Sequence, residues 1–282
     1  MQQMPMRIST EDTCRYVSRV NIGFAMEFLN NNGIDDAASA GSGTLVMVGK
    51  LHGILTAAHV LDALPPQGRV GIITHLEAPH QYQKPTIRME HTEPPVILRG
   101  DTFGPDGPDL AFLKLPDENI GWLAAKYSFY NLTRRRDDVL AGRAPSQYRS
   151  DTLTGTVQSF TSDAPSNNPR TRHKLFYSAM WQAMLISAEE KEFDLDRYII
   201  MGDPTLMVPE SIAGTSGGSV WRTYVVLEND KPRIIEQRLI GVPFFESTSH
   251  DGTQKIITCH GPKGIYGRLI DNIFKRWPDA AA

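Results

Sequence analysis

Short runs of β-forming residues, separated by clusters of turn residues, recur along most of this chain of 282 residues. Many short strands with few helical patterns predict a β-sandwich or a β-barrel. The chain is long enough for one large β domain or for two smaller ones. The candidate strands are residues 20–28, 43–48, 53–57, 70–74, 110–115, 153–159, 175–178, 198–201, 219–227, 234–242 and 255–258.

Helical patterns are few and short. Ser9, followed by an acidic residue three positions later, resembles a helix start, and a short N-terminal helix is expected to run into residues 15–20. Residues 57–64 predict a second short helix. Residues 268–277 are amphipathic and predict a C-terminal helix that Pro278 ends.

Two polar segments predict connections rather than regular structure. Residues 144–150 lie near the middle of the chain, contain a proline, and would link two β halves. Residues 162–172 are rich in Ser, Asn, Pro and Arg and predict a loop.

Composition argues against several classes of protein. Lys and Arg number 29 against 32 Asp and Glu, so the net charge of −3 gives no basic field for a nucleic-acid partner. No apolar run approaches the roughly 18 residues of a membrane helix, and the N-terminus lacks an apolar leader. With Cys14 and Cys259 as the only cysteines, we expect a cytoplasmic protein. Their spacing to histidines suits no metal, so we expect no metal and no cofactor.

Three short motifs carry candidate chemistry. Residues 214–218 (GTSGG) surround Ser216 with three glycines, so the backbone there either approaches something closely or adopts dihedral angles that a Cβ forbids. Residues 53–60 (GILTAAHV) lead a predicted strand into His59, and residues 107–115 (GPDLAFLKL) start another strand at Asp109. Each motif alone also fits an ordinary turn, a packing histidine or a strand-start aspartate.

Together, in the order His59, Asp109 and Ser216, the motifs resemble the trypsin-like (chymotrypsin-fold) serine peptidases. The order differs from that of subtilisin-like and α/β-hydrolase enzymes. Further stretches extend the likeness across about residues 20–277. They are the glycine-rich strand start at 41–45, the strand 239–242 that would line a substrate cleft, and 264–266, which looks like the final strand of the family.

The resemblance implies an all-β fold of two six-stranded antiparallel β-barrels, with a short N-terminal helix and a C-terminal helix. Residues 1–19 would form an N-terminal extension, and residues 268–282 would form the C-terminal helix and tail. The first barrel would span residues 20–143 and carry His59 and Asp109. The second would span residues 151–267 and carry Ser216.

The resemblance also implies a serine endopeptidase that works through an acyl-enzyme. Ser216 would be the nucleophile, His59 the general base, and Asp109 the group that orients the imidazole. The backbone N–H groups of Gly214 and Ser216 would form the oxyanion hole. A protein or peptide would be the substrate.

Thr215 departs from the pattern of secreted digestive relatives, which carry Asp there to pair with a new N-terminus after zymogen cleavage. The resemblance therefore implies no zymogen step of that type. It places Glu210, Phe244 and Gly264 at the substrate pocket. An acid at position 210 would favour Arg or Lys at the cleaved position, unless Glu210 lies on the surface, whereas a bulky Phe244 would narrow the pocket and favour small residues.

Two alternatives keep the fold and change the function. One is a latent protease that needs an activating or regulatory protein. The other is a non-catalytic module that binds peptide segments without cleaving them.

Overall fold

Two antiparallel β-sheets form the framework of the part of the protein that the structure describes. The structure is a computed structural model, and the prediction of a mostly β fold is confirmed. It describes residues 10–29, 35–74, 86–100, 104, 107–165, 174–191, 195–200, 209–229, 231–249 and 251–281.

The first sheet contains eight strands in residues 21–131, of which seven form one path in the order β5-β4-β1-β2-β3-β7-β6. The short β8 lies off this path and pairs with β2 in parallel. With seven strands on the path alone, the described part of this half has more than the six strands expected of a barrel. The strands are β1 Asn21–Leu29, β2 Asp35–Val48, β3 Leu51–Thr56, β4 Arg69–Ile73, β5 Thr86–Arg88, β6 Val96–Arg99, β7 Asp109–Lys114 and β8 Tyr130–Asn131.

The second sheet closes into a six-stranded barrel in the order β10-β11-β14-β13-β12-β9. The segment predicted as a linker at 144–150 enters this barrel early, since β9 begins at Tyr148. The segment predicted as a loop at 162–172 starts inside β9, and its residues 166–172 lie outside the described residues. The strands are β9 Tyr148–Pro165, β10 Lys174–Lys191, β11 Leu195–Ile200, β12 Ser219–Glu228, β13 Lys231–Thr248 and β14 Lys255–His260.

The described helices are short and lie between strands or near the ends of the chain. A π-helix at Lys263–Leu269 leads directly into α5, so the predicted C-terminal helix starts earlier than expected. Two short 3₁₀ helices lie at Met89–His91 and Pro278–Ala280. The α-helices are α1 Thr10–Val17, α2 Ala58–Ala63, α3 Asp117–Ala124, α4 Leu132–Leu140 and α5 Ile270–Arg276.

The prediction of a final strand at 264–266 is wrong. The last strand, β14, ends at His260, and Pro262 adopts helical dihedral angles (φ −56°, ψ −40°) at the cap of the π-helix. Ile265 and Tyr266 are both fully buried, and both belong to the core cluster that also contains α5 residues. Neighbouring residues of a strand point to opposite sides of a sheet, so the joint burial of Ile265 and Tyr266 in one cluster favours a helix.

The two halves share a hydrophobic core cluster. Leu55 and Phe112 of the first sheet lie in the same buried cluster as Trp221 and Leu239 of the barrel. Hydrogen bonds cross the same boundary, because the Ser219 hydroxyl donates to the Asn21 side chain at 2.7 Å in a fully buried position. Buried polar groups that are paired in this way hold two elements in one arrangement.

Within the described part of the chain, no helix combines the length and the apolarity that crossing a membrane would require.

Candidate active site

His59 and Asp109 meet where two neighbouring strands of the first sheet end or begin. His59 is the second residue of α2, which follows β3 after a single residue, and Asp109 is the first residue of β7. Because β3 and β7 pair antiparallel, the end of one lies beside the start of the other. The His59 Nδ1 is 2.5 Å from Asp109 Oδ2, and the His59 backbone N–H donates to Asp109 Oδ1 at 2.8 Å.

Burial and hydrogen bonds act in opposite directions on Asp109, which is 5% exposed. Burial alone would raise the pKa of its carboxyl, but hydrogen bonds from His59 and the charge of that imidazole lower it below the ordinary value. Asp109 is therefore an ionised carboxylate at neutral pH. An ionised carboxylate at Nδ1 holds the imidazole in one tautomer, with its Nε2 as the remaining base.

A second histidine lies behind Asp109. The Asp109 backbone N–H donates to His260 Nε2 at 2.8 Å, and the His260 ring stacks on Phe244 with the ring centres 4.6 Å apart. His260 is 3% exposed, and this burial lowers its pKa to about 4. The sequence does not predict this contact, because Asp109 and His260 are far apart in the chain and no local pattern connects them.

The backbone N–H groups of residues 214–218 divide into two sets. Those of Thr215, Gly217 and Gly218 donate to the carbonyls of residues 212, 243 and 215 at 3.0, 2.8 and 2.8 Å. Those of Gly214 and Ser216 donate no hydrogen bond to any residue that the structure describes. Ser216 lies on the wall of a small cavity. The loop therefore leaves the backbone N–H groups of Gly214 and Ser216 available as hydrogen-bond donors beside the serine hydroxyl.

Backbone geometry explains the glycine at position 214. Its φ is +96°, and a Cβ there would come within 2.6 Å of the Thr156 carbonyl oxygen. The Ala213 carbonyl accepts a hydrogen bond from the Gln158 N–H at 2.7 Å. In a trans peptide the C=O and the next N–H point in opposite directions. The bond to Gln158 thus turns the Gly214 N–H away from β9.

Ser42 of the first sheet connects this loop to both halves of the molecule. Its N–H donates to the Ser216 carbonyl at 2.9 Å, and its hydroxyl donates to the Gly214 carbonyl at 2.7 Å. The same hydroxyl accepts the Thr156 N–H of β9 at 2.8 Å. Ser42 is fully buried. Sequence analysis placed it in a glycine-rich strand start and did not identify these bonds.

The cavity beside Ser216 has a volume of about 30 Å³. Of the residues predicted for the substrate pocket, only Phe244 is among the described residues that line it. Glu210 is exposed, and its backbone carbonyl accepts a hydrogen bond from the Lys255 ammonium. Gly264 lies in the π-helix. The lining residues are Ile212, Ala213, Thr215, Ser216, Pro243, Phe244, Phe245, Glu246 and Ile257.

Glu246 is the acidic residue of this cavity, and its carboxylate is already paired. Lys255 Nζ lies 2.8 Å from Glu246 Oε1, and the Ile212 N–H donates to Oε2 at 3.2 Å. The Ser211 hydroxyl also donates to Oε2, at 3.4 Å. Glu246 thus anchors the start of the Ser216 loop to the barrel, and its charge is compensated by Lys255.

Among the residues described, no three His, Cys, Asp or Glu side chains lie close enough together to hold a metal ion. Cys14 and Cys259 form no disulfide.

Comparison with known proteins identifies a fold and no sequence family. No family model and no curated protein matches the chain. A solved structure of the HtrA-type protease AlgW with a decapeptide is 11% identical, covers 95% of this chain and 68% of AlgW, and has a TM-score of 0.50. This likeness shows a chymotrypsin-like fold, in agreement with the fold class predicted.

Two other solved structures match with lower scores. A variant of AlgW with a decapeptide is 11% identical over 96% of this chain and 68% of that chain, with a TM-score of 0.47. A structure that concerns the coupled folding and binding of the intrinsically disordered Sesbania mosaic virus VPg protein is 13% identical, with coverages of 89% and 90% and a TM-score of 0.40.

Proposed function

We propose that this protein is a serine endopeptidase. Ser216 is the nucleophile, His59 the general base, and Asp109 the carboxylate that orients His59. The N–H groups of Gly214 and Ser216 form the oxyanion hole. The chymotrypsin-like fold is shared with HtrA-type serine proteases, and it supports this assignment without deciding it.

The observation that carries the proposal is the pattern of backbone donors around Ser216. Thr215, Gly217 and Gly218 each use their N–H within the protein, while Gly214 and Ser216 keep theirs available among the described residues. Gly214 and Ser216 are half-buried, so these two N–H groups remain open to water or to a bound partner. Two such donors beside a hydroxyl fit the tetrahedral oxyanion of acyl transfer.

The proposed reaction proceeds in two stages. The Ser216 hydroxyl oxygen attacks the peptide carbonyl carbon, its proton passes to His59 Nε2, and the carbonyl oxygen becomes an oxyanion held by the two N–H groups. His59 then donates that proton to the amine nitrogen as the peptide C–N bond breaks, which leaves an acyl-enzyme. A water molecule, deprotonated by His59, releases the acid and restores Ser216. Throughout, Asp109 stabilises the imidazolium through its bond to Nδ1.

The proposed substrate is a peptide with a small apolar residue at the cleaved position. The AlgW structure holds a decapeptide, and a peptide is the proposed ligand here as well. A cavity of about 30 Å³ is far below the roughly 300 Å³ of a typical small-molecule site, so it accepts only a short side chain. Lys255 neutralises Glu246, so the described residues that line the cavity offer no free carboxylate to an Arg or Lys side chain.

Labelling with a fluorophosphonate probe tests the activity, because such probes react with an activated serine. We expect label on the wild type and none on Ser216→Ala or His59→Ala. Ser128→Ala is the matched control, since the backbone N–H of Ser128 carries its described hydrogen bond to Arg19. Folded wild type that takes no label would contradict the proposal and leave a latent protease or a peptide-binding module.

Peptide substrates that differ at one position test the proposed specificity. We expect kcat/KM to be highest with Ala or Val at the cleaved position and at least tenfold lower with Arg, Lys or Phe, because one unaccommodated methylene group in a pocket costs about 10- to 200-fold. A preference for Arg or Lys would contradict the pairing of Glu246 with Lys255 and would return the role of specificity acid to Glu210.

A further inference from the structure

His260 is a buried titratable group for which the proposed reaction has no use. It is the last residue of β14, and it contacts two parts of the site at once. Its Nε2 accepts the Asp109 N–H at 2.8 Å, and its ring face covers Phe244, which lines the cavity beside Ser216. Phe244 is 2% exposed, so the stacked pair is closed to solvent on most sides.

We propose that His260 is a positioning residue that couples the wall of the substrate cavity to the Asp109 carboxylate. The connection runs from the cavity to Phe244, from Phe244 to the His260 ring, and from His260 Nε2 to the Asp109 backbone. Asp109 in turn holds His59 through two hydrogen bonds. This inference rests on the proposed function, because it concerns the alignment of the proposed base.

The contact requires one protonation state of His260. A backbone N–H can donate to Nε2 only if that nitrogen has a lone pair, so the ring is neutral and its proton is on Nδ1. Burial maintains this state, since it lowers the pKa of His260 to about 4, against the opposing influence of Asp109. The charged Arg268 lowers the pKa further. At neutral pH the ring therefore remains an acceptor for Asp109.

The two contacts of His260 can be separated by substitution. His260→Phe keeps an aromatic face for Phe244 and removes the acceptor, which leaves the buried Asp109 N–H unpaired. His260→Gln keeps an oxygen near the position of Nε2 and removes the ring. The exposed His91→Gln serves as the matched control, because its contact is an ion pair with Glu118 on the surface.

Steady-state kinetics with a small-residue peptide should separate the two variants. For His260→Phe we expect kcat to fall about 10- to 100-fold, since an unpaired buried N–H displaces Asp109. We also expect the acid limb of the pH–kcat/KM profile to move, because it reports protonation of the general base. For His260→Gln we expect kcat close to wild type and KM about twofold to tenfold higher, from the loss of one aromatic pair. His91→Gln should match the wild type.

A purely structural role predicts a different result, in which both variants lower the melting temperature while kcat, KM and the pH profile stay as in the wild type. That result in active protein would overturn the inference and leave the proposed function intact. If the wild type shows no turnover, the proposed function fails, and the inference is then judged by NMR. The low-field proton of the His59 Nδ1–Asp109 bond should shift in His260→Phe, and an unchanged signal would overturn the coupling.

NMR of the wild type covers the case in which His260→Phe does not fold. A hydrogen bond from the Asp109 N–H to His260 Nε2 should give a measurable nitrogen–nitrogen coupling across the bond. Absence of this coupling in folded wild type would overturn the proposal without any variant.

Discussion

The first sheet and the barrel contribute to the candidate site by different means. The first half supplies two side chains that bind each other, His59 just past the end of β3 and Asp109 at the start of β7. The barrel supplies the irregular 209–218 segment, in which Ser216 is flanked by glycines with positive φ. The side-chain pair is positioned by two strands of one sheet, with His260 of the barrel bonded to the Asp109 backbone, whereas the loop is held by side chains of Ser42 and Glu246.

This difference has a physical cause. Paired strands place their ends side by side, so two side chains at those ends meet with little further support. A loop with left-handed residues lacks such a ladder, and its dihedral angles persist only if surrounding groups determine them. We therefore expect substitution in the pair to affect the chemistry directly, and substitution around the loop to affect it through geometry.

The side-chain pair should show the largest effect. Asp109→Asn keeps the size of the side chain and removes its charge, so the imidazole can adopt the wrong tautomer. In trypsin-like peptidases the equivalent change lowers turnover about 10⁴-fold, and we expect a similar loss in kcat here. Asp137→Asn on the exposed face of α4 is the control. A loss in kcat of less than tenfold at neutral pH would show that the Asp109 carboxylate does not support His59 as the general base.

The loop should show a smaller effect through Ser42. Ser42→Ala leaves the Gly214 carbonyl without its hydroxyl donor and the Thr156 N–H without an acceptor, so the peptide that follows Gly214 loses a restraint and the backbone around the Gly214 N–H is held less firmly. Loss of one oxyanion donor costs about 10²- to 10³-fold, and we expect a fall in kcat of about 10²-fold with KM little changed.

Ser39→Ala provides a control on the same strand as Ser42. The hydroxyl of Ser39 is buried and has no hydrogen-bond partner among the described residues. Its removal should leave kcat unchanged. Equal loss of activity in both variants would attribute the effect to general weakening of β2 and remove the distinction between pair and loop.

Sequence patterns were sufficient for the strands that carry the site. The strands β3 and β7 follow from apolar runs beside His59 and Asp109, and the strand β12 after Ser216 is equally clear. The short strands β5 and β6 escaped prediction because three or four residues give no measurable periodicity. Helix α4 has the polar sequence LTRRRDDVL, which shows little of an apolar stripe.

Contacts between distant segments account for the remaining failures. The roles of Ser42 and His260 depend on hydrogen bonds to residues more than a hundred positions away, and no local spacing reports them. The error at 264–266 has the opposite origin. Residues 264–266 match a known strand over only three positions, whereas Pro262 caps a π-helix in which Ile265 and Tyr266 are both buried.

The contact between His260 of the barrel and Asp109 of the first sheet should give the smallest of the three effects, and this effect depends on pH. The pKa of His260 is lowered from the model-peptide value of 6.5 to about 4 in the folded protein, so the unfolded chain binds a proton at a higher pH than the folded one. The contribution of the neutral His260 ring to the free energy of unfolding is therefore fully present above about pH 6.5, and it is lost as the pH falls toward 4. Asp109 opposes this shift in pKa and Arg268 adds to it.

Urea unfolding at pH 7.5 and pH 5 measures this contribution of His260 to the free energy of unfolding. Between these values we expect His260 to account for a loss on the order of 2 kcal/mol, or about 30-fold in the folding constant. His260→Phe should be less stable than the wild type at pH 7.5 and should lack this part of the pH dependence, whereas His91→Gln should retain it. Parallel pH dependence in His260→Phe and the wild type would mean that the ring is not kept neutral by burial. The barrel and the first sheet would then be joined at Asp109 without a titratable contact.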